Sequence, residues 1–122
     1  MKRDQRLRKA AEFQRVRESA PRGWPHPLLV VYVAPNELDR TRVGISVSRR
    51  VGKAVVRNKV RRRIREALRA RLVQVPSGLD LVVIARPPSA AASWAELNQA
   101  IDSVLQRAGL APAATGAQSA GV

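Results

Sequence analysis

The sequence predicts an α+β sandwich, a small mixed sheet covered by helices in the order α-β-β-α-β-α. Three observations carry that expectation. Short runs of branched apolar residues alternate with segments whose apolar residues recur every three or four positions, the signatures of strand and helix. Proline and glycine clusters punctuate the boundaries between them. The chain has 122 residues, 45% of them hydrophobic, which is enough for one modest core. Aromatic residues make up only 3%, so that core must rest on Val, Leu, Ile and Ala.

Residues 6–18 read as a short basic helix with Leu7, Ala10, Ala11, Phe13 and Val16 as its apolar members. Pro21, Gly23, Pro25 and Pro27 cannot continue it, and they leave room for a short extra strand near residues 20–25. Residues 28–34 are apolar and rich in branched side chains, a well-buried strand. Turn formers fill residues 35–40. Residues 43–48 then alternate strictly, Val43, Ile45 and Val47 on one face and Gly44, Ser46 and Ser48 on the other. That is a second strand, expected to pair with the first as a hairpin.

Over residues 54–72, Val56, Val60, Ile64, Ala67 and Leu68 form one apolar helical stripe, and residues 75–78 end it. Residues 79–85 read as a third strand, closed by Arg86, Pro87 and Pro88. Ser93 followed three residues later by Glu96 is a capping box that starts the last helix. Trp94, Leu97, Ile101, Val104 and Leu105 form its expected buried face, and Gly109 ends it. A single domain is expected over residues 1–110. Residues 111–122 have no periodicity and are expected to be disordered.

Charge is the informative quantity. Lys and Arg total 23 against 9 Asp and Glu, a net charge of +14. Such a surplus repels itself and is normally matched by a polyanion, nucleic acid first and an anionic membrane surface second. No apolar run approaches the roughly 20 residues of a membrane span. The basic N-terminus leads into a polar stretch unlike a signal peptide, so a soluble cytoplasmic protein is expected. The chain has no cysteine, which excludes disulfides, thiolate metal sites and thiol catalysis.

The basic residues are concentrated. Between Arg49 and Arg71 lie Arg50, Lys53, Arg57, Lys59, Arg61, Arg62, Arg63, Arg65 and Arg69, with Glu66 the only acid. Arg57, Arg61, Arg65 and Arg69 form one i, i+4 row. Like charges at that spacing destabilise a helix by a few tenths of a kcal/mol per pair, roughly. A helix with no anion to meet would normally interleave Glu. The row therefore reads as a phosphate-binding face, and the choice of Arg supplies planar forks that bond phosphate oxygens in pairs. Asn58 is either a cap near an irregular first turn or a hydrogen-bonding contact to RNA or to the water of a bound cation.

Protein-borne catalysis finds no support. His26 lies in a Pro-rich loop and reads as a loop residue. The nine acids are scattered with no paired or metal-ligand spacing, and no Gly-rich phosphate loop is present. No catalytic residue and no metal site are expected.

Residues 42–66, RVGISVSRRVGKAVVRNKVRRRIRE, closely resemble the signature of the bacterial ribonuclease P protein family. That pattern runs G-x-S-V-S-K-K, a short link, then A-V-x-R-N-R-x-K-R-x-x-R-E. Weaker similarity reaches outward to Arg6-Leu7 with Glu12-Phe13, to Tyr32, and to residues 84–87, covering roughly residues 5–108. The resemblance implies a left-handed crossover between parallel strands, against the usual rule. It also implies that a partner RNA is the catalyst and holds the Mg²⁺, with none held by the protein alone. The protein would bind that RNA as a monomer, one copy per RNA, and hold the 5′ leader of precursor tRNA. Arg57, Asn58, Lys59, Arg61, Arg62 and Arg65 are implied as RNA-binding residues, joined by Arg49, Arg50 and Lys53 on the approach to the helix. Phe13 and Tyr32 are implied as leader-cleft aromatics with Arg86 as a neighbour, and Ser46 and Ser48 would put small hydroxyls on the open face of the strand.

Two positions depart from the family. Lys59 replaces an arginine, keeping the charge and losing the fork. Arg17 stands where many members carry a second cleft aromatic, so leader binding should involve less stacking and be more salt-sensitive. The alternative function is a structural, ribosomal-type RNA-binding protein with no role in cleavage. A DNA-binding or membrane-surface role ranks last. The basic helix lacks the partner helix of a helix-turn-helix, and its apolar stripe is needed for the core.

Overall fold

A computed structural model describes residues 5–20 and 23–110. In chain order it contains α1 (Ala10–Ser19), β1 (Gly23–Pro25), β2 (Leu29–Pro35), β3 (Arg42–Val47), α2 (Ala54–Arg71), β4 (Leu79–Ala85) and α3 (Trp94–Arg107). The expected α+β class and element order hold, with the extra strand present as β1. The expectation for residues 111–122 lies outside the described residues.

Strand pairing corrects the sequence reading. The sheet order is β1-β2-β4-β3, so β2 and β3 do not form a hairpin. β4 lies between them, antiparallel to β2 and parallel to β3. The physical reason is burial. β4 is covered on both faces, with Asp80, Leu81, Val82 and Val83 all buried, and a strand apolar on both sides belongs in the middle of a sheet. The link from Asn36 to Thr41 is also longer than the tight turns that impose a hairpin. The β3-α2-β4 unit is thus the parallel crossover of the fold.

The two sheet faces carry two clusters. Leu29, Val31, Val43, Val47, Leu81, Val83 and Ala85 point to the face covered by α2 and α3, where Val60, Ile64, Leu68, Leu97, Ile101 and Leu105 meet them. Full burial of each Val, Leu or Ile side chain among them stabilises the fold by roughly 1.5–3 kcal/mol. On the opposite face Ala34 and Val82 pack with Leu7 and Val16, and Phe13, Tyr32 and Ile84 close around them. This second cluster is small because, among the described residues, that face is covered by one helix, α1, and the short extended segment that carries Leu7.

Helix ends explain two further differences. α1 begins at Ala10, not near residue 6, because Arg6 bridges to Val43 and the Leu7 N–H donates to the Val43 carbonyl at 2.8 Å. An extended approach lets Leu7 reach the core that a helix would have turned it past. Glu12 then accepts from the Arg8 and Lys9 N–H groups at 3.2 and 3.1 Å, satisfying donors at the helix start. In α3 the capping box forms as expected, Glu96 N–H to Ser93 Oγ at 3.0 Å and Ser93 N–H to Glu96 Oε1 at 2.8 Å. Trp94, expected in the buried face, is 46% exposed. It is the first residue of α3, one turn before Leu97, where the stripe runs past what α2 and the sheet can cover. Among the described residues no helix is long and apolar enough to cross a membrane.

Candidate nucleic-acid interface

An open groove of about 810 Å³ lies between α1 and the uncovered part of the sheet. Phe13, Gln14, Arg17 and Glu18 line it from α1, Tyr32 from β2, Ile45 and Ser46 from β3, and Arg61 from α2. The local cause is helical spacing. Ala10, Phe13, Gln14, Arg17 and Glu18 fall on one face of α1, while Val16 turns into the core. Four of the six expected leader-cleft residues, Phe13, Arg17, Tyr32 and Ser46, therefore meet in one place.

The other two stand apart. Ser48 is exposed beyond the end of β3, before the short 3-10 turn Arg49–Val51, and Arg86 is exposed at the end of β4. An Arg86 N–H donates to the His26 carbonyl at 3.4 Å. Neither lines the groove, because β3 and β4 end before they could place these side chains under α1.

A second recess of about 290 Å³ adjoins the first, lined by Arg6, Leu7, Arg8, Phe13, Val43, Ile45, Arg61 and Arg65. Arg8, Phe13, Ile45 and Arg61 line both hollows. β3 is an edge strand, and α2 packs beneath it. The side chains of Arg61 and Arg65 reach past that edge to the α1 side of the sheet. Burial first, then the charges of Arg6 and Arg61, lower the pKa of Arg65 from its ordinary value, although Glu66 opposes this. Crowded like charges of this kind gain most from an anion placed among them.

Along α2 the basic row is divided. Among the described residues Arg69 pairs with Glu66 at 2.6 Å and Arg71 pairs with Asp102, both at the C-terminal end. Among the described residues Arg57, Lys59, Arg61, Arg62 and Arg65 have no such carboxylate partner. Arg57 is half-buried, and its Nε is buried without a hydrogen-bond partner. Asn58 is exposed, and its Oδ1 accepts from Arg61 at 3.1 Å, which aims that guanidinium. It does not cap α2, whose N-cap is Lys53. Lys53, Lys59 and Arg62 are exposed, as are Arg49 and Arg50 in the turn before the helix. All nine residues expected to bind RNA thus lie on α2 or its approach.

Sequence reasoning missed the group that holds α1 in place. Asp80 is fully buried on β4 and accepts from Arg42 Nε at 2.9 Å and Nη2 at 2.8 Å, from Asn36 at 2.8 Å, and from Arg15 of α1. Arg42 also pairs with Glu12 of α1 at 3.3 Å. Burial alone would raise the Asp80 pKa, but hydrogen bonds from Arg42 and Asn36 and the charges of Arg42 and Arg15 outweigh it, leaving the carboxyl below its ordinary value. An acid inside an otherwise apolar strand was the available signal. Gln14 and Glu18 were also missed, and the helical spacing from Phe13 could have found them. Among the described residues no three His, Cys, Asp or Glu side chains group as metal ligands.

The family model described as Ribonuclease P matches residues 1–109 of the chain. The ribonuclease P protein component of Herpetosiphon aurantiacus is 44% identical over 110 residues, covering 90% of this chain and 89% of that one. The RNase P protein of Staphylococcus aureus superposes with a TM-score of 0.80 at 34% identity, over 87% of this chain and 96% of that one. The RNase P protein of Thermotoga maritima gives a TM-score of 0.75 at 30% identity, over 84% and 96%.

Proposed function

The chain belongs to the ribonuclease P protein family, and on that premise we propose that it grips the catalytic RNA along α2 and the single-stranded 5′ leader of precursor tRNA in the groove under α1. One observation carries the reading. Phe13 and Arg61 line both hollows, so the arginine row and the groove form one continuous surface. A ring for base stacking and guanidinium groups for phosphates are what a sequence-tolerant grip on single-stranded RNA needs.

The chain's contribution is binding and orientation. Two RNAs that must approach each other repel through their phosphates, and a protein of net charge +14 between them offsets part of that repulsion. The Mg²⁺ that assists cleavage belongs to the RNA in this reading. The buried acid Asp80 does not suit a metal, since Arg15, Arg42 and Asn36 already occupy its oxygens. The protein acts in the cytoplasm as one copy per RNA.

The test is reconstitution with a bacterial catalytic RNA at low Mg²⁺, scored for mature tRNA 5′ ends. The protein alone should cleave nothing, and its addition should raise cleavage by the RNA. Removing the leader should weaken substrate binding by the reconstituted enzyme. RNA activity unchanged by the protein overturns the reading, and affinity indifferent to the leader reduces it to a structural RNA-binding role.

A further inference from the structure

Both aromatic rings of the groove lie over a glycine of the sheet. A β-carbon on Gly44 would stand 2.5 Å from Phe13 Cζ, 2.9 Å from Phe13 Cε2 and 3.0 Å from Leu7 Cβ. A β-carbon on Gly23 would stand 2.8 Å from Val30 Cγ1 and 2.9 and 3.0 Å from Cζ and Cε1 of Tyr32. Gly23 is the direct cross-strand partner of Tyr32. Gly44 faces the same side of the sheet through its pairing with Val82, whose side chain lies in the α1 cluster.

Backbone conformation does not explain either glycine. The positive-φ glycines among the described residues are Gly52, Gly78 and Gly109, so Gly23 and Gly44 hold angles that other residues adopt readily. A glycine inside a strand weakens it and needs a reason, and a close approach from above is one. At Gly44 the closest approaching group is the Phe13 ring, with Leu7 beside it; at Gly23 the Tyr32 ring shares the space with Val30.

We propose that Gly44 and Gly23 are positioning residues for single-stranded RNA, each a seat that lets a groove ring lie down on the sheet and so sets the depth of the groove. The inference rests on the leader reading of that groove. Carbon atoms in contact sit about 3.5–4.0 Å apart, so a methyl group on Gly44 lifts the Phe13 ring by about 1 Å. The lifted ring moves into the space a base would fill. Arg17 already reaches the Tyr32 ring from α1, so a methyl under Tyr32 has the same effect against a second wall.

The experiment uses the holoenzyme, the full chain with a bacterial catalytic RNA. Affinity for precursor tRNA divided by affinity for the leaderless tRNA gives the contribution of the leader. Phe13→Ala should reduce that ratio, and Gly44→Ala should reduce it roughly fivefold or more, the lower end of what one stacked base contributes. The double variant should lose no more than Phe13→Ala alone, because a seat has no role without its ring. A Gly44→Ala ratio equal to wild type, or losses that multiply in the double variant, overturns the proposal. If Phe13→Ala itself leaves the ratio unchanged, the leader reading fails and takes the seats with it. Should Gly44→Ala fail to fold, Phe13→Ala in the same chain should restore a cooperative melt. A chain that stays unfolded shows Gly44 serving Leu7 and the backbone instead, which also overturns the proposal.

Discussion

The guanidinium of Arg17 sits over the ring of Tyr32, 5.5 Å from its centroid. One residue comes from α1 and the other from β2, so the contact spans the groove from helix to sheet. Cation–π attraction at such an exposed site is worth roughly 0.5–1 kcal/mol, enough to bias the side chain without locking it. A charge held at the wall of a single-strand groove is placed for phosphate. Arg17→Ala should therefore lower the salt dependence of precursor binding by about 0.7 in the log–log slope, the value for one phosphate contact on a single strand. Binding titrations from low to high salt measure it, and an unchanged slope means Arg17 serves Tyr32 alone.

The arginines of α2 should divide by their partners. Arg61→Ala should weaken binding of the catalytic RNA and reduce the leader contribution, since that side chain lines both hollows. Arg65→Ala should lower the salt slope of RNA binding by about one unit per lost phosphate contact. Arg69→Ala should change RNA affinity little, because Glu66 already pairs with it. Equal losses at all three positions would contradict this division.

Asp80 contributes to the acid limit of the fold. Its carboxyl is held below the ordinary aspartate value of 3.8 in the native state. The sign follows from linkage: stability is present in full above the unfolded-state pKa and is lost as pH falls through the native one. Acid titration followed by circular dichroism should show a flat stability plateau above about pH 4–5 and loss below it. Asp80→Ala should destabilise the protein by about 1.5–3 kcal/mol near neutral pH, the range for hydrogen bonds to a charged group, and should flatten the acid limb. A denaturant melt with an unchanged midpoint would refute it.

The start of α3 offers a control away from RNA. Ser93→Ala removes the oxygen that accepts from the Glu96 N–H and should cost about 1 kcal/mol by thermal or denaturant melting. Leader binding should not change. A loss of leader affinity here would point to an unforeseen coupling between α3 and the groove.

What the sequence determined by itself were features with a local period or a local partner, although not where α1 begins or that Trp94 stays exposed. The stripe Val56, Val60, Ile64, Ala67, Leu68 shows in the spacing, and so do the Ser93–Glu96 box, the alternation of residues 43–48 and the crowd of arginines on α2. Each is settled within a single segment of chain. The tertiary structure alone decided that β4 separates β2 from β3, that Arg15, Arg42 and Asn36 converge on Asp80, and that Phe13 and Tyr32 rest on Gly44 and Gly23. Those partners lie far apart along the chain. Their meeting depends on which strand buries both of its faces, and no spacing along a single segment encodes that competition.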